Sequence, residues 1–325
     1  MLRLVTLAAA MVLCGATLEL RSVSASTLDV DGGVARTARA VRTAVAKRDV
    51  DGHVWLGKLR GVGGGRDTLL YVPRTVDADR TIDVVVYMEG IGSFDHAAIG
   101  RRHVSSIARL RKNFVYVAPD APSSSLGQRA SKSPHWIAGC AERVCAGGHA
   151  APGDFLVFLD ETRARIAAAT GRDASALDLR VSLIGFSRGG KGVVNALDQL
   201  VAANFVAGGF TVRIGDVIFA DGNYGDTALE DSWRILEGRP EAPRLTILVA
   251  AGEFTDREDG DGNRRRALAF WRRAAASAPL PTADREVSAP RLRLVPLRGG
   301  HHAIGDAAVD FLTAQATEKR EPRTT

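Results

Sequence analysis

Val181-Ser182-Leu183-Ile184-Gly185-Phe186-Ser187-Arg188-Gly189-Gly190-Lys191 decides how this chain is read. Four residues of an apolar run lead directly into Gly185-Phe186-Ser187-Arg188-Gly189, a G-x-S-x-G pentapeptide. A serine hydroxyl is a weak nucleophile. One way to present it to a base is a tight turn between a buried strand and a helix, with glycine wherever a Cβ would clash. The residues that follow fit that context. Val193, Val194, Ala196, Leu197 and Leu200 recur at helical spacing, so strand, elbow and helix come in order. The same stretch, Gly185 to Lys191, also spells G-x-x-x-x-G-K. Gly192 occupies the position where a phosphate-binding loop needs Ser or Thr for magnesium, which argues against nucleotide hydrolysis.

Outward from the elbow, β-type and helical runs alternate. Val54 to Leu59 and Thr68 to Val72 flank Gly61-Val62-Gly63-Gly64-Gly65 and read as a hairpin. Ile82 to Tyr87 is apolar apart from Asp83, as expected of a strand buried on both faces. A helix around Ala97 to Leu110, a strand at Phe114 to Ala118, a long irregular segment from Pro119 to Pro152, and a helix from Asp154 to Ala168 precede the strand Leu179 to Ile184. After the elbow helix the pattern predicts a strand at Val212 to Ala220, a helix near Leu229 to Leu236 and a strand at Leu245 to Ala250. A helix at Arg264 to Ala276, a strand at Leu292 to Leu297 and a helix at Asp306 to Ala314 complete the series. Such alternation implies an α/β domain with a mostly parallel sheet of eight strands and helices on both faces. The expected organisation is a leader or packing segment over residues 26–52, one domain over 53–316 and a disordered tail over 317–325.

Residues 1–25 have the form of an export signal: Arg3, the apolar stretch Leu4 to Leu18, and Val23-Ser24-Ala25 as a small-residue cleavage site. The apolar stretch is short for a membrane span, and Leu13 before Cys14 is bulky for a lipidation site. Loss of Arg3, Arg21 and Glu19 lowers the formal charge from +6 to +5. That excess is mild, and the arginines are not interleaved with aromatics, so no nucleic-acid groove is expected. Cys140 and Cys145 then remain as an even pair in an exported chain and read as a disulfide. The expected location is secreted or periplasmic, with no stable membrane insertion.

Eight strands with a serine elbow after the fifth resemble the α/β-hydrolase family, from about Trp55 to Leu312. Locally, Gly-Phe-Ser-Arg-Gly-Gly-Lys is similar to the chlorophyllase elbow, Gly-His-Ser-Arg-Gly-Gly-Lys. Other parts look more like secreted bacterial esterases and polyester depolymerases. The resemblance implies the chain order Ser, Asp/Glu, His. Ser187 is then the nucleophile. Asp256, in Gly252-Glu253-Phe254-Thr255-Asp256, is the preferred acid, with Glu253 and Asp221 as rivals. Either His301 or His302, in Leu297-Arg298-Gly299-Gly300-His301-His302, is the base, and His301 is preferred. The oxyanion donors implied are the backbone N–H of Arg188 and that of Ile91 in Met88-Glu89-Gly90-Ile91-Gly92-Ser93. Glu89 replaces the usual histidine of that loop and is read as a structural hydrogen-bond acceptor.

Trp136 and His135, in the long segment, and Tyr224, after the sixth strand, are candidate substrate contacts. No metal or other cofactor is expected. The alternating Asp259, Asp261 and Asn263 fail as a calcium loop, because Arg264 stands at the turn glycine and Phe270 at the bidentate acid. The expected activity is hydrolysis of a small or polymeric carboxylic ester through an acyl-serine. The same constellation also serves peptidases and acyltransferases, and a binding protein can keep this fold after losing turnover.

Overall fold

The computed structural model describes residues 51–59, 66–90, 99–110, 113–119, 154–187, 189–222, 227–239, 243–251, 262–282 and 285–318. The expected signal, the 26–50 segment, the Cys140 and Cys145 pair, His135, Trp136 and most of the tail lie outside them.

Strands β1 (Gly52–Leu59) and β2 (Arg66–Pro73) form the antiparallel hairpin at the start of the sheet, in register from Gly52 opposite Pro73 to Leu59 opposite Arg66. They are followed by β3 (Ile82–Met88), α1 (Ile99–Arg109), β4 (Phe114–Pro119), α2 (Asp154–Thr170), β5 (Leu179–Phe186) and α3 (Gly189–Ala202). A small two-stranded hairpin, β6 (Val206–Ala207) and β7 (Phe210–Thr211), then leads into β8 (Arg213–Ala220). The chain continues with α4 (Ala228–Glu237), β9 (Leu245–Ala250), α5 (Asn263–Ala274), β10 (Val287–Ala289), β11 (Leu292–Leu297) and α6 (His301–Glu318).

The main sheet runs β1-β2-β4-β3-β5-β8-β9-β11-β10. Pairing is parallel from β4 through β3, β5, β8 and β9 to β11, and antiparallel at the two edges. With the serine elbow after its fifth strand, this is the α/β-hydrolase fold. Among the described residues the main sheet has nine strands where the sequence pattern gives eight. The additional strand, β10, is three residues long and pairs only with β11, too short to show a periodicity of its own. The β6–β7 hairpin is equally short, although Gly208-Gly209, with φ of 49° and 79°, supplies the two positive-φ residues that a tight hairpin turn needs.

Both sheet faces are buried, which is why the central strands read as continuous apolar runs. On one face, Val84, Val86, Leu183, Val217 and Ile247 pack with side chains of α2, α3, α4 and α5, including Phe158, Leu197, Leu236 and Trp271. On the other, Val85, Tyr87, Ile184, Ile218 and Leu248 pack with α1 and α6 through Val104, Ile107, Ile304 and Leu312. Each such aliphatic side chain contributes about 1.5–3 kcal/mol by leaving water. Asp83, the polar exception in β3, lies opposite Arg180 in the parallel ladder and is held by its guanidinium, with Nη2 2.8 Å from Oδ2. Asp216 and Arg244 make a second such pair at 2.9 Å.

One helix boundary departs from the sequence pattern. The last helix begins at His301, five residues before the expected Asp306, and runs to Glu318, past the expected start of the tail. Gly299, at φ 113°, turns the chain out of β11, and Ala303 N–H donates to Gly300 O at 2.9 Å. Gly305, within this helix, faces the Phe186 ring, where a Cβ would lie 2.7 Å from the ring edge.

Backbone is tightly crowded at the elbow. A Cβ on Gly190 would fall 1.9 Å from Gly222 O, whereas a Cβ on Gly238, at φ −74°, meets nothing nearer than 3.9 Å. Gly190→Ala is therefore expected to destabilise the protein by about 3 kcal/mol or to prevent folding. Gly238→Ala should stay within about 0.5 kcal/mol of wild type. Urea unfolding of the two variants checks the contrast.

Candidate active site

Ser187 follows the last residue of β5 and is held at φ 52°, in the left-handed region that an L-residue enters at a cost of about 1–2 kcal/mol. Neighbouring backbone enforces this conformation. Ser187 N–H donates to Ala220 O, the last residue of the adjacent β8, at 3.1 Å, and Gly190 N–H donates back to Ser187 O at 3.0 Å. On either side, Gly189 lies against Met88 O and Gly190 against Gly222 O, each so closely that a Cβ would sit 1.9 Å away. The turn is thus wedged between the ends of β3 and β8, and the glycines are a steric requirement of that position.

Asp221 repeats the geometry one strand over. It follows β8 at φ 47°, its N–H donates to Leu248 O at 2.7 Å, and its carbonyl accepts from Asn263 Nδ2 at 3.2 Å. Its side chain is only 4% exposed. His301, at the start of α6, places Nδ1 2.5 Å from Asp221 Oδ2. An ionised carboxylate only accepts, so this contact puts the proton on Nδ1 and leaves Nε2 as the basic nitrogen. The imidazole also lies against Phe186, the residue before Ser187, with ring centroids 4.7 Å apart. His302 is exposed, its ring 5.6 Å from that of His301 and 6.2 Å from that of Phe186.

The ends of β5, β8 and β11 therefore gather Ser187, Asp221 and His301 at the carboxyl edge of the parallel sheet. Among the three acids considered from sequence, Asp221 is the one found on His301. Asp256 and Glu253 lie outside the described residues, as do Arg188, Ile91 and Tyr224. The loop that carries Ile91 is described as far as Gly90, where a Cβ would meet Ser187 Cβ at 2.5 Å and Oγ at 2.9 Å. Backbone following β3 thus closes on Ser187 from one side.

A buried polar cluster that sequence reasoning did not anticipate adjoins the site. Glu89 is buried, and its Oε1 accepts Gly90 N–H at 3.0 Å, in keeping with a structural acceptor. Burial, and secondarily Asp306, pushes its carboxyl up to about 7, against the lowering effect of the Gly90 N–H, the His301 charge and the Tyr87 hydroxyl. Burial also holds Tyr87 and Tyr116 well above the ordinary phenol range. His103, from α1, meets Tyr116 Oη at 2.7 Å through Nδ1 and stands 4.6 Å from the Tyr87 ring, centroid to centroid. Its spacing marked it only as one more residue of an amphipathic helix, since a buried face reads alike whether a position holds an apolar or a satisfied polar ring.

Burial and the nearby Arg102 bring His103 down to about 3 from 6.5. A folded state that refuses a proton the unfolded chain accepts is stable above pH 6.5 and loses that contribution as pH falls toward 3. The wild type should accordingly lose on the order of a few kcal/mol between pH 6.5 and 4 relative to His103→Gln. Denaturant melts of both proteins across that range measure the difference.

No family model matches the chain, and no curated protein matches it. Solved structures of similar architecture include a dienelactone hydrolase from Anabaena variabilis, 13% identical, covering 82% of this chain and 96% of that one with a TM-score of 0.45. An esterase from Pyrobaculum calidifontis is 15% identical, covering 90% and 94%, also with a TM-score of 0.45. An IroE-like serine hydrolase from Shewanella oneidensis is 14% identical, covering 84% and 82%, with a TM-score of 0.47. These are likenesses of general architecture, and the chemistry of the site is read from its own geometry.

Proposed function

We propose that this protein is a serine hydrolase that cleaves a carboxylic ester through an acyl-Ser187 intermediate. The observation that carries the reading is the Asp221–His301 hydrogen bond of 2.5 Å, made by an imidazole lying on Phe186 beside a serine held at φ 52°. Strain at a nucleophile and a carboxylate on the far nitrogen of the base are the two features that acyl transfer by serine needs and a purely structural serine does not.

In this reading, Ser187 Oγ attacks the ester carbonyl carbon while His301 Nε2 takes its proton. Asp221 keeps the imidazole in the Nδ1–H form and stabilises the imidazolium that results. The oxyanion is received by the N–H of Arg188 and by that of Ile91, one residue beyond the glycine packed on Ser187. Collapse of the tetrahedral intermediate breaks the bond to the alcohol oxygen, which leaves with the proton from His301. Water then attacks the acyl carbon with His301 again as base, giving the acid and free Ser187. Asp221 takes the orienting role here in preference to Asp256, because among the described residues it is the carboxylate seen on the imidazole.

The long segment with Trp136 and the Cys140–Cys145 pair, together with Tyr224, is assigned to substrate binding on its departure from the carboxyl end of β4, the end of the sheet that carries the nucleophile. The export reading of residues 1–25 makes the site of action secreted or periplasmic. N-terminal sequencing of the mature protein, expected to begin after Ala25, checks it.

Hydrolysis of a short-chain p-nitrophenyl ester separates the roles. Ser187→Ala should abolish turnover, and Asp221→Asn should lower kcat by about 10³–10⁴-fold by favouring the wrong tautomer. Asp256→Asn should stay within about tenfold of wild type. Full activity of Ser187→Ala would end the serine mechanism, and a large loss confined to Asp256→Asn would move the orienting role to that residue.

A further inference from the structure

One buried carboxyl next to the site has no part in the reaction as written. Glu89, 5% exposed, directly follows β3. Its Oε1 fixes the N–H of Gly90 at 3.0 Å, and Gly90 is the residue whose Cβ position lies 2.9 Å from Ser187 Oγ. The side chain therefore sets the conformation of the backbone that abuts the nucleophile. It also commits the Gly90 N–H to Glu89, in agreement with the donor being one residue further along.

The groups around this carboxyl and its phenol neighbours come from four elements. Tyr87, on β3 itself, hydrogen-bonds it, and Tyr116 on β4 lies within electrostatic range. Burial keeps both phenols neutral. His103 on α1, brought down to about 3, is neutral near pH 7 as well. On α6 stand Asp306, whose Oδ1 is 2.6 Å from Arg102 Nη2, and His301. Of these groups, His301 is the one whose positive charge favours an ionised Glu89. Coupling between two sites is reciprocal, so an ionised Glu89 favours the imidazolium by the same amount. Burial, with Asp306, pushes the carboxyl up to about 7, into the range where an imidazole titrates.

Resting on the serine-hydrolase reading above, we propose that Glu89 is a positioning residue with two separable roles: its side chain tethers the loop after β3 against Ser187, and its negative charge stabilises the imidazolium of His301 alongside Asp221. Glu89→Gln retains a carbonyl oxygen for Gly90 N–H but removes the charge. Glu89→Ala removes both.

Two measurements on the full-length mature protein test this. The first is an NMR titration of the imidazole of His301, its resonance identified by its loss in His301→Gln. Glu89→Gln is expected to lower the apparent pKa of His301 by about half a unit to one unit, the scale of a neighbouring-charge effect that is partly screened. The second is the pH profile of kcat/KM on a p-nitrophenyl ester. Its acid limb should move to lower pH by the same interval in Glu89→Gln, because a neutral imidazole is then available earlier. Glu89→Ala should in addition lower the plateau at least about tenfold below that of Glu89→Gln, through loss of positioning.

An identical His301 titration in wild type and Glu89→Gln overturns the charge role. Equal plateaus for the Gln and Ala variants overturn the tether. Should the alanine variant fail to fold while the glutamine variant folds, the requirement for the side-chain acceptor is upheld by that contrast. A wild type that turns over no ester would sink the hydrolase reading, while the imidazole titration would still decide whether Glu89 acts on His301.

Discussion

The site depends on how closely three pieces of backbone approach one another at the carboxyl edge of the sheet. Gly189 rests on Met88 O, Gly190 on Gly222 O, and Gly90 on Ser187, each at a separation that no Cβ tolerates. Those contacts hold Ser187 at φ 52° and allow β5, β8 and the loop after β3 to end within one small volume. The cost of the left-handed serine, about 1–2 kcal/mol, is small beside the burial of the strands on both faces. Those same strands, packed by helices on both faces, prevent the ends from drifting apart.

Polarity within that volume is arranged by depth. Asp221 is almost wholly buried yet has its main-chain N–H on Leu248 O, its carbonyl on Asn263 and its carboxylate on His301. His301 is partly exposed, 30% by side chain, so its ring reaches solvent from the site. Behind them, Glu89, Tyr87, Tyr116 and His103 form a second polar set between β3, β4 and the helices α1 and α6. Burial suppresses charge on the phenols and on His103.

Much of this was legible in the sequence because it is written in local patterns. The elbow at Gly185 to Gly190 follows from strand, glycine spacing and helix alone, and the strand series was placed to within a residue or two at most boundaries. Which acid meets the imidazole was not legible. Asp221 follows β8, and its approach to His301, two strands away across the sheet, depends on the lateral order β5-β8-β9-β11, which a linear pattern does not contain. The start of α6 at His301 was equally hidden. Gly299 and Gly300 announce a loop, yet the Ala303 N–H already donates to Gly300 O and the helix starts at His301. The polar cluster around Glu89 was missed for a related reason: Tyr87, His103 and Tyr116 occupy positions whose spacing says core, and their hydroxyl and imidazole partners come from different elements.

The central claim is that Ser187 is an activated nucleophile. It is tested most directly by treating the mature protein with a fluorophosphonate, digesting it and locating the adduct by mass spectrometry. One adduct on Ser187, absent from Asp221→Asn under the same brief exposure, is the predicted result. An unmodified Ser187 peptide in the folded wild type, or an adduct that forms equally fast without Asp221, would contradict it.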